Sequence, residues 1–242
     1  MSRLQVFSSA ENLAQAAAAR VTALASVAIA ERSRFVVALS GGSTPRCTYR
    51  RLARRDALSR VAWSQFEVFW GDERCVPPDH PESNYRMARE ALLDHVSVPD
   101  SQVHRIHGEL PPSQAAAAYE AALEHVLGPR GCFDLVLLGL GSDGHTASLF
   151  PESSAIRERE RSVVAVRVRK LDTWRITLTL PVINAARHVM FLVSGSEKAE
   201  VLAQLRASQG LPAALVNPSS GELTWMVDRK AAAGMLDERF RA

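Results

Sequence analysis

Cysteine is scarce in this chain. Cys47, Cys75 and Cys132 are odd in number, widely spaced and form no Cys-x-x-Cys pair. Neither a disulfide framework nor a cysteine-based zinc site is indicated, and a reducing, cytoplasmic location is expected. Aromatic residues make up only 6% of the chain and do not interleave with its dispersed arginines, which argues against a nucleic-acid partner. No run reaches the ~18–20 consecutive apolar residues of a membrane span, and Met1-Ser2-Arg3-Leu4-Gln5-Val6-Phe7 lacks the apolar centre of a secretory signal. No membrane association is therefore expected. Repeats and low-complexity linkers are missing too, so residues 1–242 are expected to form a single domain.

What is present is ordinary globular material, 47% apolar and 23% charged, with a formal net charge of +3 that mildly favours an anionic ligand. Arg50-Arg51 and Arg54-Arg55 form the densest basic cluster; their helical spacing reads as a solvated face. Strand-like runs at 4–7, 34–39, 67–70, 133–140, 163–168, 175–180, 188–193 and 223–227 alternate with helix-like runs. The helices are expected at 11–32, 45–54, from the end of a proline-rich loop at 76–85 to residue 94, at 112–127, within 196–207 and after 228. This alternation predicts an α/β fold: a Rossmann-like open, mostly parallel sheet flanked by helices, with additional C-terminal strands. Three strand ends run into polar, glycine-containing segments at 40–46, 71–74 and 139–145, which should converge at the carboxyl edge of the sheet.

The first of these segments, Ser40-Gly41-Gly42-Ser43-Thr44-Pro45, supports two readings. Glycines that admit positive φ, hydroxyl donors and a helix N-terminus make an anion cradle. The same residues also make an ordinary capped turn, with Thr44 as N-cap and Pro45 as first helical residue. In the third segment, Asp143-Gly144-His145 sets a carboxylate beside an imidazole, the pairing that orients a proton-transferring histidine. Alternatively, Asp143 caps a helix starting near Thr146 while His145 packs. Gly139-x-Gly141-x-x-Gly144 matches the dinucleotide fingerprint, but Asp143 would lie inside a loop that must wrap a pyrophosphate, so no nicotinamide cofactor is assigned. In the second segment, Asp72-Glu73-Arg74 offers a cation for an oxyanion or forms a salt-bridged turn. Asp79, His80 and Glu82 lack metal-ligand spacing, and no metal is assigned. With no Gly-x-Ser-x-Gly elbow and no evident cysteine nucleophile, water is the expected nucleophile.

The ordered set of Ser40 to Pro45, Gly71-Asp72-Glu73-Arg74, Ser83-Asn84-Tyr85 and the run from Gly139 through Asp143-Gly144-His145-Thr146-Ala147-Ser148-Leu149-Phe150-Pro151 resembles the 6-phosphogluconolactonases. Arg175-Ile176-Thr177 and Gly195-Ser196-Glu197-Lys198-Ala199 extend the resemblance over almost the whole chain. It implies hydrolysis of 6-phospho-D-glucono-1,5-lactone to 6-phospho-D-gluconate, a step of the oxidative pentose phosphate pathway, without a cofactor. His145 would be the general base, Asp143 its orienting group and Arg74 the oxyanion partner. Gly41, Gly42, Ser43, Thr44, Arg46, Asp72, Arg175 and Lys198 would bind the phosphorylated sugar lactone, in a monomer or weak homo-oligomer. The related glucosamine-6-phosphate deaminases place a glutamate where this chain has Phe150 and a tyrosine where it has Arg74. A deaminase-like enzyme and a non-catalytic sugar-phosphate sensor are the competing readings.

Overall fold

A computed structural model describes residues 2–54, 61–128, 131–168, 172–207 and 210–236; Arg55 of the basic cluster lies outside them. The main sheet has the order β1-β9-β8-β5-β2-β3. It is built from β1 (Ser2–Phe7), β2 (Phe35–Leu39), β3 (Phe66–Trp70), β5 (Leu135–Leu138), β8 (His188–Val193) and β9 (Glu222–Asp228). Every neighbouring pair in it is parallel. The central strands β2 and β5 are buried along their whole length, as expected where helices cover both faces of a parallel sheet. At the edge, β1 leaves Leu4 and Val6 exposed.

The flanking helices include α1 (Ala10–Arg32), α2 (Ser43–Leu52), α3 (Asn84–Ala91) and α4 (Pro112–Leu127). By length and hydropathy alone α1 could cross a membrane. Its stripe of Leu13, Ala17, Val21, Leu24 and Ala28, spaced three or four residues apart, is buried against the core. Small alanines let it lie close to α2 and β9. Ser9 caps its N-terminus by accepting from the Asn12 amide.

Two elements differ from the sequence reading. The additional strands divide: β8 and β9 join the main sheet, whereas β6 (Val163–Val168) and β7 (Thr173–Leu178) form a separate antiparallel sheet with β4 (Asp72–Arg74). The 71–74 segment, read as a loop, thus supplies a strand. Three polar residues carry no alternation signal, and their conformation comes from pairing with a strand a hundred positions away. A short helix, α5 (Leu180–Ala185), follows β7 where the strand was expected to continue, with a proline in its first turn. The chain closes with α6 (Ala199–Ala207) and α7 (Arg229–Leu236).

Neighbours β2 and β5 have connections that leave in opposite directions, β2 toward β3 and β5 toward β8. Such a switch point opens a crevice at the carboxyl ends of the strands. The 40–46 and 139–145 loops leave β2 and β5 at that crevice.

Candidate functional site

Side-chain hydroxyls fix the backbone where the three loops begin. The buried Tyr49 hydroxyl accepts from the Ser40 amide and donates to the Ser40 carbonyl, both at 2.8 Å. Tyr119 does the same at the end of β3, accepting from the Trp70 amide at 2.6 Å and donating to its carbonyl at 2.8 Å. Thr146 donates to the Gly139 carbonyl at 2.9 Å. Burial pushes both tyrosine pKa values well above the ordinary phenol range, so both stay neutral hydrogen-bonding groups.

The 40–46 loop enters α2 two residues earlier than its sequence suggests. Gly42, at φ +104°, holds the N-cap position and offers no side-chain cap, and Ser43 is the first helical residue. Thr44 is therefore not the N-cap. Its hydroxyl lies 2.8 Å from that of Ser194, joining α2 to the end of β8. Gly41 is set by close approach, because a Cβ there would fall 2.0 Å from Asn84 Oδ1. Asn84 in turn donates to the Asp72 carbonyl at 2.9 Å and to Asp72 Oδ1 at 3.3 Å. Ser148 donates to Asp72 Oδ2 at 2.7 Å. The three loops thus converge on one buried carboxylate, Asp72.

Its neighbour Glu73 is equally occupied. It accepts from the amides of Arg74, Asn84 and Tyr85 and from the Ser83 hydroxyl, so it holds the start of α3 as a helix-terminal carboxylate. Burial nevertheless raises its pKa above the usual carboxylate value.

The cations are disposed differently. Arg74 on β4 stands directly opposite Arg175 on β7, a like-charge pairing that destabilises an antiparallel ladder unless something compensates. The Nε atoms of both are buried without a hydrogen-bond partner. Arg74 Nη1 donates to the Glu82 carbonyl at 2.5 Å. Among the described residues, the side chain of Arg175 has no hydrogen-bond or ion-pair partner. Burial, and then the charge of Arg74, lower its pKa below the usual guanidinium value. A cavity of about 300 Å³ lies between the loop and α3, lined by Gly42, Ser43, Arg46, Arg74, Asn84 and Arg86 among others.

Asp143 and His145 form the expected pair, with Nδ1 2.5 Å from Asp143 Oδ1. Burial alone would raise the Asp143 pKa, but the hydrogen bonds and charge of His145 outweigh it and leave a net lowering. No helix starts at Thr146; residues 146–149 form a tight reversal with Thr146 bridged to Leu149. The capping alternative for Asp143 therefore does not hold. Without a helix after this loop, the dipole and amide cradle of a dinucleotide site are missing as well. The Phe150 ring lies 4.4 Å from the imidazole, centroid to centroid.

Of the residues anticipated from sequence, Gly42, Ser43, Arg46 and Arg74 line one cavity. Gly41 and Asp72 meet through Asn84, Arg175 stands beside Arg74, and Asp72 is tied to the His145 turn through Ser148. Lys198 sits in the single helical turn Ser196–Lys198 after β8. Ser194, which precedes that turn, is joined to Thr44 of the 40–46 loop. Sequence reasoning assigned no task to Asn84, Ser148, Tyr49 or Tyr119. Asn84 and Ser148 stand in the motifs quoted above without a task of their own; the two tyrosines carry no signal, because their partners are backbone groups.

With this geometry in place, comparison with known proteins is decisive. The family model for glucosamine-6-phosphate isomerases/6-phosphogluconolactonase matches residues 8–225. The chain belongs to this family. Within it, a 6-phosphogluconolactonase of Synechocystis sp. is 42% identical over 224 residues, 89% of this chain and 90% of the relative. That of Homo sapiens is 41% identical over 237 residues, 95% and 92%. Among solved structures, 6-phosphogluconolactonase from Trypanosoma cruzi superposes with a TM-score of 0.84 at 31% identity, over 98% of each chain. A monomeric glucosamine-6-phosphate deaminase, at 23% identity and a TM-score of 0.81, shares the fold.

Proposed function

We propose that this chain hydrolyses 6-phospho-D-glucono-1,5-lactone to 6-phospho-D-gluconate in the pentose phosphate pathway, as a single α/β domain of the cytoplasm, monomeric or weakly self-associating. The observation that carries this reading is the opposed pair Arg74–Arg175, two partly buried like charges on facing strands that call for an anion. Arg175 meets the substrate's phosphate, with Gly41, Gly42, Ser43, Thr44, Arg46 and Lys198, while Arg74 meets the charge that develops at the reacting carbonyl. Arg offers a planar fork and Lys a compact point charge to a phosphate. Asp72 acts at one remove, holding the 40–46 loop through Asn84 and the His145 turn through Ser148.

In the reaction, His145 Nε2 takes a proton from water as the water oxygen bonds to the lactone carbonyl carbon. Arg74 stabilises the negative charge that develops on the carbonyl oxygen, an effect worth about 3–4 kcal/mol in acyl-transfer enzymes. Collapse of the tetrahedral intermediate breaks the bond from that carbon to the ring oxygen, which receives the proton from the imidazolium. Asp143, on Nδ1, fixes the tautomer that leaves Nε2 free and stabilises the cation. This sequence balances without a metal or a cofactor. The remote phosphate converts binding energy into orientation of the reacting carbon.

The test is to add the protein to freshly generated lactone and follow ring opening above the spontaneous rate, with glucosamine 6-phosphate assayed in parallel. Acceleration of lactone opening alone is expected. Turnover of the amino sugar instead would establish the deaminase reading, and binding of sugar phosphate without turnover the sensor.

A further inference from the structure

The imidazole of His145 is bounded at more points than proton transfer itself requires. Asp143 occupies Nδ1. The backbone of Gly141 passes so close that a Cβ there would fall 2.1 Å from Nδ1 and 2.2 Å from Cε1, and the Gly141 amide donates to the His145 carbonyl at 2.8 Å. Phe150 supplies another boundary, its ring 4.4 Å away and tilted by 36°.

Phe150 owes its place to a built turn. Ala147 adopts φ +47°, uncommon for a residue with a side chain. The Leu149 amide closes the turn on the Thr146 carbonyl at 2.9 Å. Ser148 anchors it twice, through its hydroxyl to Asp72 and through its amide to the Thr177 hydroxyl at 3.2 Å, while Leu149 is fully buried. The reversal carries residue 150 back onto residue 145. Phe150 itself is only half-buried and lies outside the hydrophobic core cluster, so its ring contact with His145 is not a by-product of core packing.

We infer that Phe150 is a positioning residue for the reaction proposed above, on which this inference rests. Its ring and the Gly141 backbone confine the imidazole to the orientation in which Nδ1 meets Asp143 and Nε2 stays free. The aromatic ring also favours the imidazolium formed during turnover, as aromatic faces favour cations within about 6 Å. Among the described residues, Asp143 is the one charged side chain in hydrogen-bonding contact with the ring, so a change at position 150 leaves the direct electrostatic partner in place.

The experiment compares Phe150→Leu, Phe150→Ala and Phe150→Tyr with the unaltered protein. Leucine keeps apolar bulk without an aromatic face, and tyrosine keeps the face. For F150L and F150A, kcat for lactone opening should fall by about tenfold or more, since small misplacements of a reacting group cost up to about a hundredfold, while KM moves by less than about twofold. F150Y should retain most of kcat. In ligand-free protein, the signal of the Nδ1 proton that His145 shares with Asp143, followed by NMR, should broaden or vanish in F150L and persist in F150Y. Unchanged kcat and an unchanged Nδ1 proton signal in F150L would overturn the inference. So would a rise in KM at constant kcat, which would make Phe150 a substrate contact. The proton signal needs no substrate, so a protein that fails to open the lactone would sink the proposed reaction while leaving the role of Phe150 open to measurement. Should F150A fail to fold, F150L and F150Y decide.

Discussion

The two ends of strands β2 and β5 treat charge in opposite ways. At the amino end, the buried Asp134 accepts from the Val36 amide at 2.8 Å and gathers Arg32 at 3.0 Å and Arg187 at 3.5 Å. At the carboxyl end, Asp72 and Glu73 are occupied by neutral donors, and Arg74 and Arg175 face each other without a carboxylate partner. The same chain can therefore pair its arginines and does so where only stability is at stake. Where the crevice opens, its carboxylates serve construction and its cations are left available. Charge that the fold does not neutralise marks the site more sharply than any single motif.

This contrast can be broken, the largest effects first. His145→Ala should lower kcat for lactone opening by about 10²–10⁴-fold, the usual span of general acid–base catalysis, with the denaturant midpoint almost unmoved; undiminished turnover would remove His145 from its role. Arg175→Ala should raise KM for the phosphorylated lactone by about 10–100-fold, the loss of a charge-assisted hydrogen bond. An unphosphorylated lactone should hardly notice, and stability should hold or improve as the repulsion from Arg74 is relieved. Asp134→Ala should do the reverse, costing about 1–3 kcal/mol in urea unfolding because a buried amide and two guanidinium groups lose their acceptor, with kcat and KM unchanged. If R175A destabilised the fold as much as D134A does, the two ends would not differ after all.

Ser148→Ala sharpens the comparison on the carboxylate side. It takes one donor from Asp72 and should cost about 1 kcal/mol of stability, together with a severalfold loss of kcat as the His145 turn loosens. The smallest effect concerns pH. The folded-state pKa of Asp143 lies below its unfolded value, so its contribution to stability is fully present above the ordinary carboxylate range and is lost as pH falls through the depressed value. The stability difference between the wild-type protein and Asp143→Asn should therefore shrink on acidification. A difference constant from pH 6 to 2 would contradict the bond to His145.

How much of this was legible in the sequence follows from the distance over which each feature is determined. Asp143 and His145 are two residues apart, and their contact needs only a tight turn. The buried strands β2 and β8 announce themselves as continuous apolar runs between turn signals. The same local logic placed α4 at residues 112–127. The strand β4 was not visible, since Asp72-Glu73-Arg74 becomes extended only by pairing with Thr177, Ile176 and Arg175. The hydrogen bond from Ser148 to Asp72 spans 76 positions, and no spacing rule reaches that far. The start of α2 was misread because Thr-Pro is a strong cap signal in isolation, whereas here tertiary contact takes the Thr44 hydroxyl to Ser194. Arg175 illustrates the limit from the other side: a strand arginine has no local mark of function, and only its position opposite Arg74 gives it one.

The two tyrosine hydroxyls that bond Ser40 and Trp70 have a thermodynamic consequence. A phenol that satisfies both the amide and the carbonyl of one residue removes that residue's conformational freedom when the protein folds, about 1–2 kcal/mol of backbone entropy each. That loss is then already incurred before any ligand arrives. Binding at the crevice has little loop ordering left to drive, and more of the interaction energy with the anion is available as affinity. Phenylalanine at position 49 or 119 would keep the shape of the core and return that disorder to the loops.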